Sequence, residues 1–505
     1  MELLTGLDSA FLALETETTR AHVAGVLVLG PPAADGSSED GSSEEAYAAI
    51  RSVVAQRLDR VPRLGQRIQR APLGLWRPMW VDDPDLDLDF HVRPALLPAP
   101  GGQAELEALV GEVMSRPLDP DRPLWEMVVV EGLTQMRTAV IARLHHAILD
   151  GQAGATAMAA LLDLTPGGPE RPTAAAGPLS AAGPLSAAGP LSAAGSTAED
   201  VPRWRHGVVA LARQVSDGVA AVQRAIDTAR VLAVHNRELA SGGKTPPPAP
   251  FHAPRTSLNG NVTGERRFTS FRTPVEDLEL ARDACGEVGD GVGRPTVNDV
   301  ILCVVGGALV EYLDLRGEAP SSSLVALVPV STRRHGGARS GDPTTVGNDV
   351  SGMLVPLATT VADPGDRLAA IARATAVAKA QEDRTGGDFL ETVLRAVSPA
   401  LLTALMRGAG SLRLFDHVPP PFNVVVSSVV VPDVALWWAG RPVIDVYPAG
   451  PVADGFGLNV TTMTYRGVVH FGLLAAPSLV SDVEEIAVLL DDALAALVLR
   501  ALGGA

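Results

Sequence analysis

The sequence predicts an α/β protein of two lobes, each a mixed sheet with flanking helices, joined by a connector. Three observations carry that reading. The 505 residues, 46% of them apolar, supply material for two large cores. Strand-like β-branched runs recur with helical periodicities both before residue 170 and after residue 250. Between these halves, residues 175–192 are tandem copies of Ala-Ala-Gly-Pro-Leu-Ser, which offer too little apolar surface to offset the entropy of ordering them.

In the first lobe, residues 1–165, His22 to Leu29 reads as a strand, Glu44 to Asp59 as a helix, and Thr138 to Leu144 as a strand ending in polar chemistry. Asp150-Gly151 then turns the chain into a helix over Gln152 to Leu164. Residues 166–200 form the Gly/Pro/Ser/Ala linker. A connector over 201–250 follows. Its larger apolar residues Trp204, Val208, Leu211, Val215, Val219, Val222 and Ile226 recur in steps of three and four, and a run at Pro246 to Pro248 makes an extended spacer. Residues 201–240 hold six arginines against three acids. This basic helix either packs on its own acidic lobes or docks on a membrane surface. In the second lobe, residues 251–505, Val297 to Leu313 is helical, Ser323 to Val330 and Val424 to Val431 are strand runs, and Asn459 to Leu473 holds two strands around Arg466-Gly467.

A net charge of -17 argues against general affinity for nucleic acid, because phosphates are neutralised by Lys and Arg. Cys285 and Cys303 lack metal-ligand spacing, so the reading is a reducing cytoplasm with no disulfide framework or zinc site. The amino terminus carries acid where an export signal would be basic, and the longest apolar tracts are short or broken.

Chemistry concentrates at His145-His146-Ala147-Ile148-Leu149-Asp150-Gly151. Strand alternation sends neighbouring side chains to opposite faces, so one imidazole works and the other supports. A neutral imidazole is suited to take a proton from an alcohol near neutral pH, which is general-base chemistry. Two histidines at a strand end also serve as core or capping residues, and no third ligand at metal spacing accompanies them.

The segment His145-His146-x-x-x-Asp150-Gly151 resembles the HHxxxDG signature of the CoA-dependent acyltransferase superfamily. Further blocks are similar to those of its bacterial wax ester synthase/diacylglycerol acyltransferases. They include Leu7-Asp8-Ser9-Ala10-Phe11-Leu12 with Glu15-Thr16, Pro123-Leu124-Trp125-Glu126, and Thr296-Val297-Asn298-Asp299-Val300. Pro254 to Gly260, Val328-Pro329-Val330-Ser331, Gly347-Asn348 and Leu458 to Thr461 fall in the same order, so the resemblance spans nearly the whole chain. It implies two chloramphenicol-acetyltransferase-like lobes forming a pseudo-dimer, with a central channel where acyl-CoA and an alcohol approach from opposite sides.

On the resemblance, His146 is the general base, His145 supports it, Asp150 holds the loop through an arginine, and Gly151 makes the turn. Asn298, Asp299, Trp125 and Arg333 stand on the substrate side. Each of these has a second reading: Thr296 and Asp299 form a capping box with Asn298 in the first helical turn, Trp125 is a packing anchor, and Arg333 with Arg334 is a solvated pair. Where the family commonly reads Ser-Asn-Val-Pro-Gly-Pro, this chain has Ser427-Ser428-Val429-Val430-Val431-Pro432. Lacking that turn, the strand is expected to run on and deliver Trp437-Trp438 to the core or to a lipid-facing rim.

The implied activity is transfer of a long-chain acyl group from acyl-CoA, as co-substrate with no bound cofactor, to a fatty alcohol or diacylglycerol. The location implied is cytoplasmic, peripheral to a membrane or lipid-droplet surface. Use of an acyl-carrier-protein donor, or non-catalytic lipid binding on the same fold, are the alternatives.

Overall fold

The computed structural model describes residues 2–32, 43–70, 78–148, 151–166, 241, 246–289, 291–331, 350–385, 403, 407–429, 431 and 433–503. The expected linker at 166–200, the basic helix of 201–240, Asp150 and Arg333 lie outside the described residues or, for the linker, almost wholly so.

In chain order the first half holds β1 (Glu2–Leu3), α1 (Gly6–Leu14), β2 (His22–Leu29), α2 (Ser43–Arg57), β3 (Gln66–Gln69), β4 (Met79–Asp82), α3 (Leu88–His91), β5 (Val92–Leu96), α4 (Gln103–Ser115), β6 (Trp125–Glu131), β7 (Thr138–His145) and α5 (Gly151–Leu161). The second half holds β8 (Arg267–Pro274), α6 (Val275–Ala281), α7 (Val297–Asp314), β9 (Val325–Ser331), β10 (Val350–Pro356), α8 (Pro364–Thr385), β11 (Val424–Val429), β12 (Trp437–Trp438), β13 (Arg441–Ala449), β14 (Leu458–Tyr465), β15 (Val468–Ala475) and α9 (Val483–Gly503).

Two six-stranded mixed sheets organise the lobes, in the orders β12-β13-β2-β7-β6-β5 and β10-β9-β11-β14-β15-β8. Each combines antiparallel pairs with parallel ones, β5 with β6 in the first and β11 with both β9 and β14 in the second. The central strands read as continuous apolar runs because both of their faces are covered. In β2, Leu27 and Leu29 enter one core with Ile50 and Val54 of α2, while Val26 and Val28 enter another with Leu106, Val110 and Val113 of α4. The second lobe buries Val300, Val304 and Leu309 of α7, Leu368 of α8 and Leu490 of α9 against β11, β14 and β15. Each fully buried side chain of this kind contributes roughly 1.5–3 kcal/mol.

The chain boundary at residue 251 is not the sheet boundary. Strands β12 and β13, from the second half, complete the first sheet, with β13 antiparallel to β2 from Val443↔Leu29 to Ala449↔Ala24. Trp438 is thereby fully buried in the first lobe's core rather than at a lipid-facing rim, and Trp437 is half-buried. The run after Ser427 also differs from expectation, since β11 ends at Val429. A tight turn at Ala439-Gly440, both with positive φ, starts a hairpin there instead.

The lobes meet along β13, β14, β15 and β8. Buried Asp445 of β13 accepts from Arg272 of β8 at 2.6 Å and contacts His470 of β15 at 3.1 Å, tying the sheets by charge. At Gly472 a Cβ would overlap the Pro448 carbonyl, so only glycine permits this approach. Among the described residues no helix is long and apolar enough to cross a membrane.

Candidate active site

Strand β7 is central in the first sheet and ends at His145, whose register partner on β2 is His22. The chain then turns. His145 N–H donates to the Leu124 carbonyl at 2.9 Å, His146 N–H to Ala21 at 2.7 Å, and Ile148 N–H back to His145 at 2.9 Å. The two imidazoles part at this turn, as strand alternation requires. His145 is fully buried. His146 is half-buried, its ring stacked on Phe11 of α1 at 4.2 Å and 24°.

Behind the turn is a cluster that sequence reasoning missed. His145 Nδ1 accepts the Ala147 N–H at 3.0 Å, which leaves its ring proton on Nε2. That nitrogen faces Glu15 Oε2 at 3.6 Å, and His22 Nε2 faces Glu15 Oε1 at 3.4 Å. The His22 and His145 rings meet edge to face at 5.9 Å. Burial pushes the His22 imidazole down to about 3, so it is neutral at neutral pH. Burial by itself would raise the Glu15 carboxyl, but the facing His145 and His22 rings outweigh it and hold the group below the usual carboxylate range. One carboxylate thus sits between the Nε2 atoms of two buried imidazoles. The sequence did carry a signal: Glu15 lies just past the C-terminus of α1, where the helix dipole disfavours a carboxylate unless something compensates.

Glu126 lies on β6, one residue after Trp125. It pairs with buried Arg143 of β7 and with Arg93, and Arg143 also donates to the Val113 and Arg116 carbonyls. Burial and neighbouring Arg116, Arg93 and Arg20 bring the Arg143 guanidinium down to about 9. Trp125 itself packs as an anchor. It is buried, stacks on His91 at 4.4 Å and donates its indole N–H to the Leu64 carbonyl at 2.7 Å.

In the second lobe the capping box at the start of α7 is real. Asp299 Oδ2 accepts from the Thr296 N–H at 2.8 Å and hydroxyl at 2.7 Å, and Oδ1 accepts from Thr375 of α8 at 2.6 Å. With both oxygens engaged and the residue buried, Asp299 anchors the start of α7 to α8. Asn298 is different: it is half-buried, and its Oδ1 accepts from the exposed Ser428 hydroxyl of β11 at 3.2 Å, which in turn lies 2.9 Å from Thr462. This polar trio is near the seam. Val429 beside it, with Met463 and Tyr465 of β14, packs in the same cluster as Leu144 and Ile148, which bracket the histidine pair. Gly151 opens α5, which packs on β11. Among the described residues no group of three or more His, Cys, Asp or Glu side chains is arranged to hold a metal ion.

Comparisons with known proteins agree with this architecture. The wax ester synthase/diacylglycerol acyltransferase catalytic domain matches residues 4–301, and the C-terminal domain of the same family matches residues 346–498. A Mycobacterium tuberculosis relative named probable diacylglycerol O-acyltransferase tgs1 is 31% identical, over 99% of this chain and 96% of its own length. A second from that organism, assigned by name to the same activity, is 32% identical over 96% of this chain and 93% of its own. Among solved structures, the wax ester synthase/diacylglycerol acyltransferase of Marinobacter aquaeolei VT8 superposes with a TM-score of 0.65 at 24% identity, covering 99% of this chain and all of the other. The first condensation domain of the calcium-dependent antibiotic synthetase shares the fold at 15% identity and a TM-score of 0.55, over 99% of this chain and 96% of its own. The chain is an acyltransferase and belongs to the wax ester synthase/diacylglycerol acyltransferase family.

Proposed function

We propose that the protein transfers a long-chain acyl group from acyl-CoA to the hydroxyl of a fatty alcohol or diacylglycerol, giving wax ester or triacylglycerol, with His146 as general base and no acyl-enzyme. One observation carries this reading: the tandem histidines divide, His145 buried with Nδ1 accepting the Ala147 N–H and Nε2 facing Glu15 at 3.6 Å, His146 half-buried with its ring stacked on Phe11. His146 takes the hydroxyl proton as the alcohol oxygen bonds to the thioester carbonyl carbon. The carbonyl electron pair moves to oxygen, with Asn298 as a polar contact near the thioester. Collapse re-forms the carbonyl and breaks the C–S bond, and the imidazolium returns its proton to the departing CoA thiolate. Holding both substrates in a channel between the lobes supplies the proximity term.

The acceptor and product are neutral and apolar, so contact with a membrane or lipid inclusion would rest on apolar surface instead of net charge, which is -17. The test is an acceptor panel: palmitoyl-CoA with hexadecanol, monoacylglycerol or diacylglycerol, products resolved by thin-layer chromatography and CoA titrated in parallel. The reading expects ester formed mole for mole with CoA for at least one acceptor. Hydrolysis alone, or no turnover with tight lipid binding, would overturn it.

A further inference from the structure

Glu15 is tied to the reacting group from two directions. The helix that ends beside it carries Phe11, whose ring stacks on His146. Its carboxylate meets Nε2 of buried His145, the residue before His146, and Nε2 of buried His22, the residue after the Ala21 carbonyl that takes the His146 N–H. Neither Nε2 has a closer polar partner among the described residues, so the carboxylate at 3.4 Å from His22 and 3.6 Å from His145 is the acceptor each ring faces. Arg20, just beyond α1, and Arg143 of β7 are the cations that act on the cluster.

We propose that Glu15 is a positioning residue for acyl transfer, its carboxylate holding the His22 and His145 rings as paired donors so that the turn from His145 to Ile148 presents His146 in one orientation. The proposal rests on His146 being the base. The chemistry selects a carboxylate. His145 Nδ1 is committed as acceptor to the Ala147 N–H, so its ring must donate through Nε2, and His22 offers a second donor to the same group. Two donors need two acceptor oxygens on one side chain, which Glu provides. Gln offers one oxygen and one N–H₂. One imidazole then faces a donor and must either swap tautomer or draw back. In His145 the swap would set Nδ1–H against the Ala147 N–H and open the turn; in His22 it would bury an unpaired Nδ1–H. Loss of the side chain leaves both donors bare.

The experiment compares steady-state kinetics of wild type, Glu15→Gln and Glu15→Ala with palmitoyl-CoA and hexadecanol, together with thermal melts followed by circular dichroism. The expected result is a kcat lowered about tenfold in Glu15→Gln and further in Glu15→Ala, with KM for palmitoyl-CoA within about twofold and the Glu15→Gln protein fully folded at the assay temperature. Wild-type kcat in Glu15→Gln, or a loss of turnover that matches only a smaller folded fraction, overturns the positioning role. Failure of the wild type to release CoA in the same assay would instead refute the reaction assigned above.

Discussion

His22 makes the first lobe sensitive to acid in a window that can be predicted. Its imidazole is 1% exposed and held at about 3, against about 6.5 for the free side chain. The unfolded chain therefore binds a proton that the folded chain refuses. Stability from this group is complete above pH 6.5 and falls by about 1.4 kcal/mol per unit as pH drops towards 3. Between pH 7.5 and pH 5 the loss integrates to about 2 kcal/mol. Glu15 acts in a separate window: its carboxyl is held below the usual range, so its contribution stands above about pH 4.3 and is lost only below that. The perturbation is His22→Gln, which keeps a neutral donor of similar reach and removes the titration. Buried Trp80, Trp125 and Trp438 all lie in the first lobe's core, so tryptophan fluorescence in urea reads that lobe. Wild type should lose about 2 kcal/mol more than His22→Gln from pH 7.5 to pH 5. Equal losses in the two proteins would refute the reasoning.

Other consequences follow from single contacts. Phe11→Ala removes the ring stacked on His146, an interaction worth about 1 kcal/mol, and should lower kcat roughly fivefold while Phe11→Leu lowers it less, read as CoA release. Asp299→Ala should destabilise the second lobe by about 3 kcal/mol in urea, because it strips the cap of α7 and the tie to Thr375; a raised KM with unchanged stability would show that Asp299 meets substrate. Asp445→Ala leaves Arg272 and His470 without their shared carboxylate at the seam and should cost about 3 kcal/mol, with faster amide exchange in β13 and β15 than in β6.

The sequence made some of this legible and hid the rest for physical reasons. The strand His22–Leu29 matches expectation at both ends, and Thr138–Leu144 differs by one residue, because β-branched and apolar runs bounded by polar clusters mark strands buried on both faces. The helix expected over Glu44 to Asp59 runs from Ser43 to Arg57 and then tightens into a 3₁₀ turn at Leu58–Arg60. Alternation was enough to say that one histidine of the pair turns inward, and the TxxD spacing was enough to find the cap at Thr296. Sheet membership was not local information. That Arg441–Ala449 belongs with β2 depends on pairing across more than 400 residues, and no local pattern distinguishes it from a strand of the second lobe. The Glu15 cluster was hidden in the same way, since His22 meets His145 only through the register of β2 with β7. The direction of Trp125 into the core is set by the pleat of β6, which no local pattern in its own segment specifies.

The central claim is that His146 is the base for direct transfer to an alcohol. Its most direct measurement is CoA release from palmitoyl-CoA plus hexadecanol by purified His146→Ala, with folding checked by circular dichroism. The account predicts a fall in turnover of about 10² to 10⁴, with no burst of CoA before ester appears in the wild type. Wild-type release by His146→Ala would contradict it.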